Sequence, residues 1–411
     1  MGTRRATTTG ACFFGSVSLH EQSTPRASEN ERPSRRATIS NKTQKRNDQP
    51  TTKTKIETKT KITPAQQAGK KQKMNTQLLT DVITCLPKGK THYRYFKGAY
   101  APRLLSILLP EQASVHQLKQ TRFKRLLEHP TVKPIVANCG NGVLDANQLN
   151  NVWQDPSQPF LLTVSRWGGE RDRSWFQTSR HGENLVLQLN LPVEHQRQYQ
   201  AHIDDSGNET LNGADSCHPV QLPKDNPNFR ETLAWSRIDI DFDTNEALIE
   251  EVQSDGARYL MWWEKRYKRC RCERCQQRLK YIDWMQRYRE IWAEALLCAT
   301  IEFIQNELGV ERIFMHTARS GWQVKNMDRD WHAPRSLYSD LPKKFAFKQT
   351  WAAPEFLLAT KCYQRLIRKQ PDIDFYQLSL DELRQTIRRP EERSDAGSRH
   401  ANVGGASCHA V

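Results

Sequence analysis

The stretch ALIEEVQSD, residues 247–255, begins as an apolar strand and then places Glu250, Glu251, Gln253 and Asp255 where more core residues would be expected. A carboxylate buried in a sheet costs several kcal/mol unless it is paired or hydrogen-bonded. The strand end must therefore meet solvent or be organised around something polar. Strict alternation puts Ile249, Glu251, Gln253 and Asp255 on one face and Leu248, Glu250, Val252 and Ser254 on the other. Further along, VERIFMHT reads as another strand and ends in His316 and Thr317. If the two strands are parallel neighbours, their carboxyl ends share one edge of the sheet, the place where open α/β sheets hold ligands. Gln253, Asp255, His316 and Thr317 are then expected to converge, with Glu251 beside them. A histidine next to a carboxylate has the makings of an acid/base pair. The same residues also fit an edge strand whose carboxylates meet arginines or water, and a core histidine that caps a strand. Gly321 and Lys325 in ARSGWQVKN add a weak signal for an anion-accepting loop.

A second group is CRCERC, which brings Cys270, Cys272 and Cys275 within six residues. Thiolates at this spacing can hold zinc tetrahedrally, with the fourth ligand supplied from elsewhere, His316 and Cys298 being the candidates. A structural zinc clip, or three reduced thiols on a basic helix, fits better than a catalytic metal, because the preceding helix would carry the cluster about 20 Å from the strand end at 1.5 Å per residue. The flanking KRYKRCRCERCQQRLK is a basic surface with interleaved aromatic residues, which fits either phosphate contacts or a solvated helix face.

The elements that must position these residues follow from periodicity. From 74 to 156 the pattern is helical, in NTQLLTDVITCL, FKGAYAPRLLSILL and VHQLKQTRFKRLLE, with Asp145 capping a further short helix. Residues 157–230 read as a strand pair, FLLTVSRW and NLVLQLNL, then the helix PVEHQRQYQAHI and a polar loop over 204–228. Residues 231–360 read as an α/β core: SRIDIDFD turns at Thr244-Asn245 into ALIEEVQSD as a hairpin, and a long helical stretch leads to VERIFMHT. Residues 361–389 are read as C-terminal helices. The expectation is an α/β (α+β) fold, a helical N-terminal layer followed by a mixed sheet with packed helices.

Residues 1–73 and 390–411 are expected to be disordered tails. The chain's 62 Lys+Arg and 46 Asp+Glu include 16 and 5 in residues 1–73, so the remainder carries only +5 of the net charge of +16. The basic character thus belongs largely to a leader with no apolar period. Such a leader, with the basic helices, is a candidate nucleic-acid contact, although a solvated leader is the better-fitting reading. No run of 18 apolar residues marks a membrane span, and the ten cysteines, scattered except for CRCERC, suit a reducing cytoplasm.

LAWSRIDIDFDTNEALIEEVQSD, the helix ending IEFIQNELGVERIFMHT, and PRSLYSDLPKKFAF together resemble a group of uncharacterised bacterial proteins. They are also similar to a domain of large phage polyvalent proteins marked by an acidic strand ending in Gln-Ser-Asp. Upstream, FLLTVSRWG and QTSRHGENLVLQLNL resemble the same bacterial group. Those relatives usually place Trp after the Asp, where this chain has Gly256. The resemblance implies a fold but no mechanism. A weaker similarity is to the GNAT acetyltransferases, through the order strand, helix, strand, tyrosine-bearing short helix, strand. It implies Tyr338 as proton donor to a leaving thiol, although the glycine-rich pyrophosphate pattern before the long helix is absent.

These readings predict a polar pocket at a sheet edge, formed by the EEVQSD and FMHT strand ends, for an unknown small ligand or for acid/base chemistry, group transfer included. The alternative is a zinc-supported nucleic-acid-binding or phage-derived accessory module without catalysis. No cofactor motif is legible beyond the candidate structural zinc.

Overall fold

The computed structural model describes residues 76–85, 91–109, 112–152, 154–168, 177–203, 230–325 and 334–381, with Leu211, Met327 and Arg384 besides. The expected tails at 1–73 and 390–411, and nearly all of the 204–228 loop, lie outside the described residues. The described residues fall within one unit, Lys71–Val411.

In chain order the strands are β1 (Thr91–Tyr95), β2 (Gln112–Ser114), β3 (Val143–Asp145), β4 (Gln158–Gly168), β5 (Glu183–Asn190), β6 (Thr232–Asp241), β7 (Glu246–Gln253), β8 (Arg312–His316), β9 (Lys348–Thr350) and β10 (Phe375–Ser379). Strands β2 and β3 make a separate small pair. The other eight form one mixed sheet in the order β1-β4-β5-β6-β7-β8-β10-β9. Its neighbours are antiparallel except β7 and β8, which run parallel as expected. The helices that matter below are α1 (Tyr100–Leu108), α2 (Val193–His202), α3 (Asp255–Tyr267), α4 (Glu273–Arg289), α5 (Trp292–Glu302), α6 (Ala318–Val324) and α7 (Lys361–Lys369). The crossover from β7 to β8 is made by α3, α4 and α5, because parallel strands cannot be joined by a tight turn. The β6–β7 hairpin does turn tightly, with Asn245 at φ 53°, a left-handed conformation that asparagine tolerates. Among the described residues no helix is long and apolar enough to cross a membrane.

Two regions differ from expectation, and the first, 74–156, also holds the three-residue strands β2 and β3. The stretch THYRY forms β1 inside the region expected to be helical, and it gains its place by pairing with β4. The C-terminal region, expected as helices only, contains β10, which inserts between β8 and β9. Both are five-residue strands, too short for alternation to separate them from a helical turn.

The two faces of the sheet differ. One carries Leu185, Leu187, Leu189, Ile238, Ile240, Ala247, Ile249, Ile313 and Met315 into the main core with α1, α4 and α5. The other carries a second apolar cluster at the β7–β8–β10 end, where Leu248, Phe314 and Phe375 pack with Val324 of α6 and Tyr363 of α7. Over the middle strands that second face is polar, yet β5 and β6 are buried along their whole length.

Candidate functional site on the polar face of the sheet

The β6–β7 register sets up the site. Arg237 lies opposite Glu251 and Ile238 opposite Ile249, so Glu250 is an extra residue, a β-bulge. Ile249 and Val252, three residues apart, both belong to the main core. Strict alternation therefore fails here, and Glu250 and Glu251 both reach the polar face: Glu250 bonds Ser179 and His316, and Glu251 pairs with Arg237. The β7–β8 ladder ends one step earlier, at Ile249 opposite Met315. The two strands stop pairing where the bulge begins, which leaves room between Glu250 and His316 for other groups.

Those groups come from residues 177–182, the end of the β4–β5 connection. Gly168 at the end of β4 lies so close to this segment that a Cβ there would meet the Gly182 carbonyl at 2.7 Å, and its φ of 96° suits glycine. Ser179 donates its N–H to Glu250 Oε1 at 2.9 Å and its hydroxyl to Glu250 Oε2 at 2.9 Å. Its Oγ also lies 2.8 Å from His316 Nε2, which is 3.2 Å from Glu250 Oε2. His316 Nδ1 is 3.1 Å from the hydroxyl of Ser320 on α6. Lys325 donates to the Glu250 backbone carbonyl, with its Nζ 3.6 Å from Glu250 Oε2. Glu250 and His316 are fully buried.

Burial alone would raise the Glu250 pKa, but the hydrogen bond from His316 and the charge of Lys325 overcome it and hold the carboxyl down at about 2. Burial pushes the His316 pKa down, against the pull of Glu250. The consistent assignment is an ionised Glu250 and a neutral His316 whose Nε2–H donates to it, with Nδ1 accepting from Ser320. Beside this group Arg180 donates to Asp239 through Nε at 2.7 Å and Nη2 at 2.9 Å, and to Asp241 through Nη1 at 3.1 Å. Its guanidinium stacks over Phe356 at 4.2 Å. Asp239 is nonetheless pushed up to about 6 by burial, with Arg180 opposing.

Arg237 behaves differently. It is 2% exposed, donates through Nη2 to Glu251 and, at 3.1 Å, to the Gln177 carbonyl, and lies 5.1 Å from the Trp167 ring. Its Nε and Nη1 have no hydrogen-bond partner among the described residues. Registers β4–β5 and β5–β6 put Ser165 and Val186 in one row with Arg237, and Asn184 one step along on the same face. Ser165 Oγ and Asn184 Oδ1 also lack partners among the described residues. Unmet donors and acceptors thus face the same side of three adjacent strands, where each unsatisfied group costs about 1–3 kcal/mol.

No family model, curated protein or solved structure matches the chain. The site is therefore read from its own geometry.

The residues singled out from sequence distribute as follows. His316 and the end of β7 do meet, but the carboxylate that meets His316 is Glu250. Gln253 donates to Asp255 Oδ1 at 2.9 Å, and Asp255, in the first turn of α3, also pairs with Arg258 at 3.0 Å. Thr317 caps α6 and bonds Asp374. The expected group is thus divided: His316 with Glu250, Glu251 with Arg237, Gln253 with Asp255. Glu250 and His316 meet toward the carboxyl ends of β7 and β8, and the polar residues continue from there over the face of the neighbouring interior strand β6. Tyr338 is buried, accepts from the Val252 N–H at 3.3 Å, and has its pKa raised by burial. Lys325 is buried beside Glu250, and Gly321 lies within α6, so the stretch expected as an anion-accepting loop is a helix.

Ser179, Arg180 and Arg237 are absent from the sequence-based set. The signal for Arg237 was present in SRIDID, where it shares the parity of Asp239 and Asp241. Nothing in QTSRHGEN pointed to Ser179 or Arg180, because their partners are about 60 to 140 residues away. Among the described residues one cysteine group could hold a metal: the sulfurs of Cys270, Cys272 and Cys275 lie within 4.8 Å of one another. Neither fourth-ligand candidate joins it: His316 is engaged by Glu250 and Ser179, and the Cys298 sulfur contacts Glu302.

Proposed function

We propose that the polar face of the sheet is a pocket for a small ligand bearing a carboxylate or phosphate, and that Glu251 acts there as a general base. The observation that carries this reading is the guanidinium of Arg237, buried with its Nε and Nη1 unpaired among the described residues. Nε and Nη1 lie on different edges of the guanidinium, whose Nη2 is taken by Glu251 and the Gln177 carbonyl, so they offer two separate charge-assisted donors to the oxygens of an anion. The partner Glu251 retains 13% side-chain exposure, and one of its oxygens is held by Arg237 Nη2. The other oxygen, with no partner among the described residues, is placed to take a proton from a ligand anchored on the adjacent guanidinium. Trp167 and Trp235 lie on the same face and supply apolar walls.

His316 is a positioning residue in this reading, because both ring nitrogens already have partners. It fixes Glu250, and through Ser179 it fixes the 177–182 segment whose Gln177 carbonyl holds Arg237. The acid/base role expected of His316 and Asp255 passes to Glu251, the carboxylate with an uncommitted oxygen.

The test is a calorimetric titration of the full chain against inorganic phosphate, nucleotides and small mono- and dicarboxylates, with wild type and Arg237→Met side by side. At least one of these anions should bind wild type. Arg237→Met should weaken it by about 100-fold, the loss of two charge-assisted bonds worth together ~3 kcal/mol. Binding unchanged by Arg237→Met, or no anion bound by wild type, would defeat the proposal.

A further inference from the structure

The α3–α4 turn is far from the polar face and has chemistry of its own. Helix α3 starts at Asp255 and runs 13 residues, about 20 Å, to Tyr267. Lys268 to Cys272 then turn the chain into α4, whose N-cap is Cys272 and whose first turn contains Cys275. The turn is closed by Cys270 N–H to the Tyr267 carbonyl at 2.9 Å and by Gln276 Nε2 to the Cys270 carbonyl at 2.8 Å. Two contacts brace the helices themselves, Arg289 with Glu264 at 2.9 Å and Arg278 with the Tyr267 hydroxyl at 2.6 Å. The backbone of the turn is thus held independently of any bond between the sulfurs.

Held this way, the turn gathers three thiols. Cys270 Sγ and Cys272 Sγ are 3.2 Å apart, and all three sulfurs lie within 4.8 Å. Tetrahedral zinc with Zn–S bonds of 2.3 Å requires sulfurs about 3.8 Å apart, which falls between those two distances. A disulfide would require about 2.05 Å, well inside the closest pair. Cys275 packs partly against the main core, which anchors one ligand, while Cys272 is exposed and can adjust. Cys272, the N-cap of α4, makes no side-chain cap bond. The N-terminus of α4, 17 residues long, and the neighbouring Arg269, Arg271 and Arg274 favour the negative charge of three thiolates on a dication.

We propose that Cys270, Cys272 and Cys275 form a three-thiolate site for a soft d10 metal ion, zinc in the first instance, that clips the α3–α4 turn. The fourth position is open to solvent and is taken by water. The three thiols give up their protons to solvent as the dication binds, so no oxidant or reductant is involved. At about 20 Å from Asp255 the ion takes no part in chemistry on the polar face and acts by fixing the turn.

The experiment uses the full chain purified under reducing conditions without chelator. Metal content is measured by mass spectrometry for wild type, Cys272→Ser, Cys275→Ser and Cys362→Ser, and cobalt(II) is then titrated into the metal-free protein. Wild type and Cys362→Ser should hold one zinc per chain, and cobalt should give the thiolate charge-transfer band and strong visible bands of a tetrahedral site. Cys272→Ser, whose side chain is exposed and free of packing, should lower retained zinc about tenfold or more, and Cys275→Ser likewise. In wild type, zinc should slow amide exchange at residues 268–276. The proposal fails if the folded, reduced chain keeps no zinc and takes up no cobalt, if Cys272→Ser and Cys275→Ser keep it fully, or if intact mass shows a disulfide within the three under reducing conditions.

Discussion

Replacing Glu250 by glutamine removes one buried charge and keeps the shape of the side chain. The carboxylate accepts from the Ser179 N–H and hydroxyl and from His316, and it faces the Lys325 ammonium at 3.6 Å. Its pKa falls from 4.5 to about 2 on folding, which at 1.36 kcal/mol per unit corresponds to ~3 kcal/mol of stability at neutral pH. Breaking a buried pair by removing one partner costs about 3–5 kcal/mol, the same range reached independently. The sign follows from the depressed pKa. The unfolded chain binds the proton first, so the stabilisation is complete above pH 4.5 and is lost as pH falls toward 2. Urea unfolding of wild type and Glu250→Gln between pH 7 and 3, followed by circular dichroism, should show a gap of about 3 kcal/mol at pH 7. With a slope near 3 kcal/mol per molar for a fold of this size, that is a midpoint shift of about 1 M. The gap should narrow steadily below pH 4.5. Equal stability at pH 7, or a gap that is the same at pH 7 and pH 3, would refute the assignment of an ionised, network-bonded Glu250.

Three further outcomes follow from the same geometry. Arg180→Met leaves Asp239 and Asp241 buried without their common cation and should cost about 3–5 kcal/mol, measured by the same unfolding assay; a loss under 1 kcal/mol would mean the bridge is not formed. Ser179→Ala keeps the N–H bond to Glu250 and removes the hydroxyl, so about 1–2 kcal/mol is expected, with proteolysis at the 177–182 segment rising in step. His195, buried on α2 with Nε2 2.7 Å from the Tyr281 hydroxyl, has its pKa lowered to about 3 by burial. It should stay neutral by NMR down to about pH 4, and the stability that depends on it should decline as pH falls below 6.5; titration near 6.5 in the folded chain would count against its burial.

Much of the fold was legible because it rests on local periodicity. Alternation in FLLTVSRW, NLVLQLNL and SRIDIDFD marked β4, β5 and β6, and the Thr244-Asn245 turn fixed the hairpin into β7, since one residue suited to positive φ is enough to reverse a strand. The acidic end of β7 and His316 were flagged as polar residues at strand ends, and the three cysteines by their spacing. The pairing among them was not legible. A bulge at Glu250 shifts the strand's parity, and a bulge depends on what the neighbouring strand offers rather than on the strand's own sequence. Alternation therefore placed Glu251 on the face of Ile249, which meets the main core, whereas the bulge turns it to the polar face beside Glu250, where it pairs with Arg237. Residue types in sequence declared that charge would be buried here; only the tertiary structure could bring Ser179, Arg180 and Arg237 to it, because each hydrogen bond spans dozens of residues and carries no local signature.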